Sequence, residues 1–355
     1  KSKKKESSFP SGESGVKHGQ AKSCLISESS LKLLGVLGDG AFGVVSKGEW
    51  TANKGSKLSV AVKCLKYSDR DAFVKEQDNF MREARAMSEL DHPNVIHLYG
   101  IVLATPIKLV MELASLGSLK DRLRSEPQKF LVATLYDFVS QIASGMSYLE
   151  SKRCVHRDLA ARNILLASYD KVKIGDFGLM RLLPSEDEIY VMNPLGKVAV
   201  AWCAPECLKN REFSHASDVW AFGITVIEIF SYGKQPWDGL SGVQILDIID
   251  EPANGRPGKP DCCPDKLYSL LFEHCWDPNP KDRSRFSSIQ AKLQEGIPPD
   301  VTLFFDLEND TNPDSLVGKS GDLVTVITWK SRLGTEFAKG QNKRTAEVGY
   351  FPISQ

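Results

Sequence analysis

The stretch His156-Arg157-Asp158-Leu159-Ala160-Ala161-Arg162-Asn163 sets an acid and an amide five residues apart, and a second acid follows in Asp176-Phe177-Gly178. Hard oxygen donors of this kind suit Mg²⁺. The remaining acid can receive a proton from a hydroxyl nucleophile. The chemistry expected of such a set is phosphoryl transfer from ATP, and the residues needed to hold phosphates lie upstream. His156 reads as a packed structural histidine rather than a proton carrier.

Those upstream residues begin at Leu33, Leu34, Val36 and Leu37, a short apolar strand that runs into Gly38-Asp39-Gly40-Ala41-Phe42-Gly43-Val44-Val45. Glycines let backbone N–H groups approach phosphates where a Cβ would collide. The spacing is shared with dinucleotide-binding folds, but there a helix follows the turn, and here a second strand does. Leu58-Ser59-Val60-Ala61-Val62-Lys63 is the next strand, with Leu58, Val60 and Val62 on one face and Ser59, Ala61 and Lys63 on the other. A lysine ending a buried strand is costly unless anions meet it, and nucleotide phosphates would. Asp71 to Leu90 predicts a helix whose inward set is Phe73, Phe80, Ala84 and Met87. Glu83, one turn before Met87, is the expected partner of Lys63, with Glu76 and Glu89 as competitors. Strands are expected over Val95 to Val102 and Ile107 to Met111. Their exit from Glu112 through Ala114 to Leu119 is a linker whose backbone can pair with an adenine edge, with Met111 at the back of the pocket.

Past the linker, Leu135, Phe138, Val139, Ile142, Met146 and Leu149 form the stripe of a long core helix that delivers the chain to His156. Asp176 to Glu206 reads as a functional loop closed by Ala204-Pro205-Glu206, and Asp218 opens an apolar helix ending near Phe230. Pro298-Pro299 marks a boundary, after which β-like segments are expected at Thr302–Leu307, Asp322–Thr328, Phe337–Lys339 and Ala346–Val348. The expected organisation is an unstructured basic, Ser- and Gly-rich segment over 1–28, a β-rich lobe over 29–113, a helical lobe over 114–297, and a small β domain over 298–355. The cluster Lys1, Lys3, Lys4 and Lys5 reads as a solvated tail, and a first residue that is not Met points to a fragment. With 45 basic and 45 acidic residues in 355, the charge balance gives no support for a nucleic-acid partner. The eight cysteines form no CxxC pair and read as reduced thiols. That usage, with no signal peptide, predicts a cytoplasmic protein, with peripheral membrane contact as the alternative.

Taken in order, the glycine-rich turn, Val60-Ala61-Val62-Lys63, the His156–Asn163 loop, Asp176-Phe177-Gly178 and Ala204-Pro205-Glu206 resemble the protein-kinase motif set. The tyrosine-directed branch is similar at two points. Ala160 stands where serine/threonine kinases usually carry Lys, and Trp202 in Ala201-Trp202-Cys203 provides a platform for a phenol ring. With Leu179-Met180-Arg181 and an SH3-like segment directly after, residues 31–355 resemble the Ack family of non-receptor tyrosine kinases. The resemblance implies an α+β, bilobal protein-kinase fold (β-rich N-lobe, helical C-lobe) followed by a small all-β SH3-like barrel. It implies that Gly38, Gly40 and Gly43 cover the phosphates, and that Leu37, Val45, Ala61 and Leu165 sandwich adenine beside the backbone of Glu112 and Ala114. It further implies that Lys63, held by Glu83, aligns the α- and β-phosphates, that Asn163 and Asp176 bind Mg²⁺, that Asp158 is the base, and that Arg162 counters charge on the γ-phosphoryl.

Tyr190, in an acidic loop, is the expected autophosphorylation site, with Arg157 available to a phosphate. The tail departs from its family. Leu303-Phe304-Phe305-Asp306-Leu307 replaces ALYDY, Phe337-Ala338 replaces the Trp pair, and Phe351-Pro352-Ile353-Ser354-Gln355 lacks the final Tyr. Weakened binding of proline-rich ligands, or an intramolecular contact, is expected. Protein tyrosine substrates are the implied partners, and a Rho-type GTPase only if a further downstream segment exists. A pseudokinase scaffold would lack Lys63, Asp158 or Asp176, and all three are present; serine/threonine or dual specificity is the other rival.

Overall fold

The computed structural model describes residues 25–40, 43–52, 55–65, 70–185, 188–193, 198–308, 314–332 and 335–353. Lys1 to Lys5, Ala41, Phe42, the side chains of Phe73 and Glu76, Ser354 and Gln355 lie outside what is described. The first lobe is an antiparallel sheet of β1 (Leu31–Gly40), β2 (Gly43–Thr51), β3 (Lys57–Cys64), β4 (Leu98–Val102) and β5 (Lys108–Glu112), in the order β1-β2-β3-β5-β4. Helix α1 (Arg70–Ser88) packs on it through Phe80, Ala84 and Met87, buried at the i, i+4, i+7 spacing of one helix face. Both faces of β3 are covered at Val60 to Lys63, whereas Leu58 at its start is exposed. Gly43 has a positive φ, and a Cβ there would come within 2.5 Å of the Cys64 carbonyl oxygen. Any side chain at this position would push β2 off β3 just where the turn begins.

The expected strand from Val95 begins only at Leu98. Val95 forms a bridge with Ile174, and the Ile96 N–H donates to the Ile174 carbonyl at 2.9 Å, so this segment stitches the two lobes together. The expectation of an unstructured chain through residue 28 is corrected for residues 25–28. The Ile26 N–H donates to Ile101 at 2.8 Å, the Ile26 side chain is buried with Val60, Val62, Val102 and Val110, and Glu28 pairs with Lys108 at 2.8 Å. A single apolar residue and one acid in a polar stretch carry no periodicity by which such a strap could be read.

The second lobe comprises α2 (Leu119–Ser125), α3 (Val132–Ser151), α4 (Pro205–Lys209), α5 (His215–Phe230), α6 (Gly242–Ile249), α7 (Asp265–His274) and α8 (Phe286–Glu295). Between α3 and α4 lie the short strands β6 (Cys154–Val155), β7 (Ile164–Ser168), β8 (Lys171–Ile174), β9 (Arg181–Leu182) and β10 (Tyr190–Val191), and β11 (Glu212–Phe213) follows α4. The predicted stripe of α3 is buried throughout, and nearly every residue of α5 is buried because other elements surround it. Gly223 lets α5 close on Trp276, whose indole nitrogen would lie 2.4 Å from an added Cβ.

The tail forms an antiparallel sheet of β12 (Asp300–Thr302), β13 (Leu323–Arg332), β14 (Thr335–Asn342) and β15 (Val348–Pro352). Its strands are displaced from those expected. Residues 303–307 turn instead of extending, with Leu307 bridging Gly318, and the two central strands run further because polar residues of their open face masked the alternation. The sheet is fastened to the helical lobe. Ile327 is buried in that lobe's hydrophobic core, Val348 packs against it, and the Gln341 side chain accepts the Val132 N–H at 2.6 Å. Leu131, at the N-cap of α3, makes no side-chain cap, so the tail satisfies a donor that α3 leaves open.

Candidate active site

A cleft of about 930 Å³ runs between the lobes. Its lining includes Leu37, Gly38, Gly43, Val45 and Ala61 from the sheet, Glu112 and Ala114 from the linker, and Leu165 from β7. Register explains the grouping: Val45 lies opposite Lys63, and Ala61 opposite Met111, which also lines the cleft. Gly40 stands at the hairpin tip, opposite Gly43, and is not part of the lining. The Glu112 N–H is taken by the His97 carbonyl at 2.9 Å, and its carboxylate pairs with Lys173 at 2.9 Å. The Ala114 N–H makes no hydrogen bond among the described residues, which leaves a donor for an adenine edge.

Lys63 is brought to two carboxylates. Its Nζ lies 2.8 and 3.1 Å from the Glu83 oxygens and 3.4 Å from Asp176 Oδ1. Burial works against the charge of Lys63, but the Glu83 and Asp176 carboxylates more than offset it and hold its pKa above the usual value. Glu83 has one lysine for partner and a second carboxylate nearby, so burial prevails and raises its pKa. Of the two described candidates, Glu89 is exposed and Glu83 buried, as helical phase with Phe80 and Met87 requires.

In the His156–Asn163 loop, Asp158 accepts hydrogen bonds from Arg162 Nη2 and, at 2.8 Å, from Asn163 Nδ2, which also donates to the Asp158 carbonyl at 2.7 Å. Both amide hydrogens of Asn163 are thereby used, which leaves its oxygen available as a ligand atom. That oxygen and the Asp176 carboxylate, whose side chain is 39% exposed toward the cleft, fit a hard cation such as Mg²⁺. The two loops are tied through Gly175, whose N–H donates to the Asn163 carbonyl at 2.8 Å and whose carbonyl accepts from His156 Nε2 at 3.1 Å. His156 is fully buried and sets its ring edge-on against Phe177, a structural histidine as expected. Asp176 has φ 53°, a left-handed conformation that costs a non-glycine residue about 1–3 kcal/mol and persists only where its surroundings hold it.

Two acids escaped notice as parts of the site. Asp218 is 1% exposed and accepts the N–H groups of His156 and Arg157 at 2.7 and 2.9 Å, so α5 holds the His156–Asn163 loop by its backbone. Glu228 accepts the Ala161 N–H at 2.9 Å and the Trp202 indole N–H at 3.1 Å. Their signal was an acid inside an apolar helix, which cannot be buried without partners; the sequence does not say which partners. Trp202 in turn lies under Arg162, with guanidinium carbon and ring centroid 4.6 Å apart.

The loop that starts at Asp176 is closed by Glu206, held by Arg283 at 2.7 and 2.9 Å. Tyr190 pairs across the strands with Phe213, and its ring is covered by Arg157 at 4.4 Å and Arg181 at 5.2 Å. Arg157 also donates to the Leu179 carbonyl at 2.9 Å. It is thus packed on the tyrosine ring and is no free cation.

Comparison with known proteins adds to this geometry. The family model for protein tyrosine and serine/threonine kinases matches residues 31–293. Activated Cdc42 kinase Ack of Drosophila melanogaster is 44% identical over 99% of this chain and 32% of its own length. Non-receptor tyrosine-protein kinase TNK1 of Homo sapiens is 42% identical over 98% of this chain and 51% of its own length. Tyrosine-protein kinase sid-3 of Caenorhabditis elegans is 42% identical over 93% of this chain and 26% of its own length. The chain therefore spans about half the length, or less, of these curated relatives. A lysine–glutamate pair, a loop carrying Asp158 and Asn163, and a family match over both lobes agree, and the chain belongs to the protein tyrosine and serine/threonine kinase family.

Proposed function

We propose that this chain transfers the γ-phosphoryl group of ATP to protein tyrosine, as a non-receptor kinase of the Ack type. The observation that carries the reading is Arg162, stacked on the Trp202 platform while bonded to Asp158. It supports the reading because an acid able to act as base and the Arg162–Trp202 stack lie together at one side of the cleft. Asp158 takes the hydroxyl proton, and its pairing with Arg162 and Asn163 orients it for an in-line approach. Lys63 orients the α- and β-phosphates while Glu83 fixes its direction, and the chain at Gly38 and Gly43 covers them. Mg²⁺, when held by Asn163 and Asp176, supplies charge neutralisation on the transferring group.

Tyr190 is the proposed autophosphorylation site. Arg181 lies 5.2 Å from its ring, which supports the reading: an added phosphate would find a charged donor nearby. One experiment tests both statements: incubation with ATP, Mg²⁺ and a tyrosine peptide, followed by phosphoamino-acid analysis and site mapping. Phosphotyrosine on the peptide and phosphate on Tyr190 are expected. Phosphoserine alone would overturn the tyrosine reading, and an active preparation without phosphate on Tyr190 would overturn the second.

The tail is proposed to be an SH3-like barrel that serves chiefly as an intramolecular brace. Phe304, Phe305, Trp329 and Phe337 remain exposed, but Ala338 occupies the second groove Trp position and is buried, which supports weakened proline-motif binding. Gln341→Ala would strip the Val132 N–H of its partner and cost about 1–3 kcal/mol. Urea unfolding of the whole chain reads this, and an unchanged midpoint, with a labelled proline-rich peptide bound tightly, would reverse the assignment. The name of the fly relative ties that protein to Cdc42. For this protein, a Rho-type GTPase is proposed as partner only if a further downstream segment exists, and a pull-down with residues 1–355, expected to capture no GTPase, tests it. The described cysteines carry free thiols, which supports a cytoplasmic protein; fractionation checks the placement.

A further inference from the structure

Tyr169 stands at the tip of the β7–β8 hairpin, where Ser168, Tyr169 and Asp170 are all exposed. Its hydroxyl is nonetheless engaged. It donates to Glu126 Oε2 at 3.0 Å and accepts from Lys129 Nζ at 3.1 Å, and its ring centroid lies 6.1 Å from that of Phe130. Lys129 also pairs with Glu126 Oε2 at 3.1 Å. The other carboxylate oxygen, Oε1, accepts from Arg122 Nη1 at 3.2 Å, four residues back on α2. Arg122 Nε in turn donates to the Leu116 carbonyl at 2.7 Å, in the linker between the lobes. Leu116, Asp121 and Arg122 line the cleft. Hydrogen bonds from Lys129 and Tyr169 hold the Glu126 carboxyl below its usual range, so it stays ionised at neutral pH. One unbroken set of polar contacts thus joins an exposed hydroxyl to the backbone of the interlobe cleft.

Resting on the phosphotransfer reading above, we propose that Tyr169 is phosphorylated by a second copy of this chain, and that its phosphate weakens nucleotide binding through Glu126 and Arg122. Tyr169 is 42% exposed, and freeing its hydroxyl breaks two surface hydrogen bonds and its contact with Phe130. In the transfer, the Tyr169 oxygen bonds to the γ-phosphorus of ATP as the bond from that phosphorus to ADP breaks. The hydroxyl proton passes to Asp158 of the acting copy, and ADP leaves. The product oxygen has no hydrogen left to donate, and a phosphate of charge about −1.5 to −2 stands beside the Glu126 carboxylate. Like charges repel, and Lys129, already on the hydroxyl, is drawn to the phosphate. Glu126 thereby loses both donors on Oε2. A guanidinium suits phosphate better than a single carboxylate oxygen, so Arg122 turns toward the new anion and the Leu116 carbonyl loses its clamp. Arg122 is then a positioning residue: it holds the linker and takes no part in the transfer. The Arg122, Glu126 and Lys129 side chains are 33%, 23% and 48% exposed, so a modest effect is expected.

In the test, the parent chain is incubated with ATP, Mg²⁺ and an excess of an Asp158→Asn chain as substrate, and phosphate is mapped on the latter. Phosphotyrosine at position 169 is expected. Parent and Tyr169→Phe are then each treated with ATP and Mg²⁺ until mapping shows Tyr169 of the parent filled. Both are freed of nucleotide and compared in steady state on a tyrosine peptide. Phosphate on Tyr190 is shared by the two and cancels. The KM for ATP is expected to be roughly 3–10-fold higher in the treated parent than in treated Tyr169→Phe, with peptide KM within about twofold. Before treatment the two should agree within about twofold, since Lys129 and Arg122 still hold Glu126 in Tyr169→Phe. Arg122→Ala should show the raised KM for ATP from the start and respond no further to treatment. Phosphorylation of the peptide with none on Tyr169 would overturn the site. Phosphate on Tyr169 with equal KM values for ATP, or an Arg122→Ala chain that still responds to treatment, would overturn the route. A parent chain that phosphorylates no tyrosine, on peptide or protein, would instead defeat the functional reading itself.

Discussion

Asp158→Asn is expected to lower turnover on a tyrosine peptide by about 10²–10⁴-fold, the usual contribution of a positioned base, with nucleotide affinity near that of the parent. The substitution keeps size and shape. It removes the charge that receives the hydroxyl proton and places an amide among donors, since Arg162 and Asn163 both point N–H groups at this carboxylate. An amide offers one oxygen where the acid offered two, so one donor loses its partner as well. The expected loss therefore falls on kcat. Fluorescent-nucleotide titration beside peptide kinetics separates the two quantities, and a variant retaining parental kcat would remove Asp158 from the role of base.

The second large effect is expected at the lysine pair. Lys63→Met should abolish measurable phosphotransfer, because no other described cation lies beside Glu83 and Asp176 to orient phosphates. Glu83→Gln should be milder in chemistry, since Lys63 keeps Asp176 at 3.4 Å, but lysine and glutamate side chains are only 6% and 5% exposed. Removing one member of a buried ion pair typically costs about 3–5 kcal/mol, because the other is left uncompensated. For Lys63→Met that cost should lie toward the low end. The pKa of Glu83 is already raised by burial, so the stranded acid can take a proton rather than remain charged. Chemical denaturation of both variants with peptide kinetics would show this ordering. Parental stability in Glu83→Gln would mean that the pair is not held together in solution.

Much of the site could be read before any fold was known, and the reason is chemical. Gly38, Gly43, Lys63, Asp158, Asn163 and Asp176 are short-range motif residues of the types that the proposed work on phosphate, metal and proton would require. Their neighbours in sequence also place them at strand ends and loops. Glu83 was readable with less force, because helical spacing gives a face but not the neighbour that face meets. The buried stripes of α1, at Phe80, Ala84 and Met87, and of α3 were equally plain, since periodic apolar residues mark the face that packs on a core. The tail strands were not, because polar residues on an open sheet face blur the alternation.

What the sequence by itself determined is a set of residue types suited to the proposed phosphoryl transfer, and most of the helices and strands that present them. What only the tertiary structure decided is which distant groups meet. Asp218 was an acid in an apolar helix until its carboxylate was found on the backbone of His156 and Arg157. Glu228 gained meaning only when Ala161 and Trp202 converged on it, and Gln341 only when it met the open end of α3, 209 residues away in the chain. Arg157 was expected to await a phosphate, and instead it is packed on the Tyr190 ring. In each case the residue type states a need, a partner for a buried charge or an unpaired donor, while only the folded chain supplies what answers it.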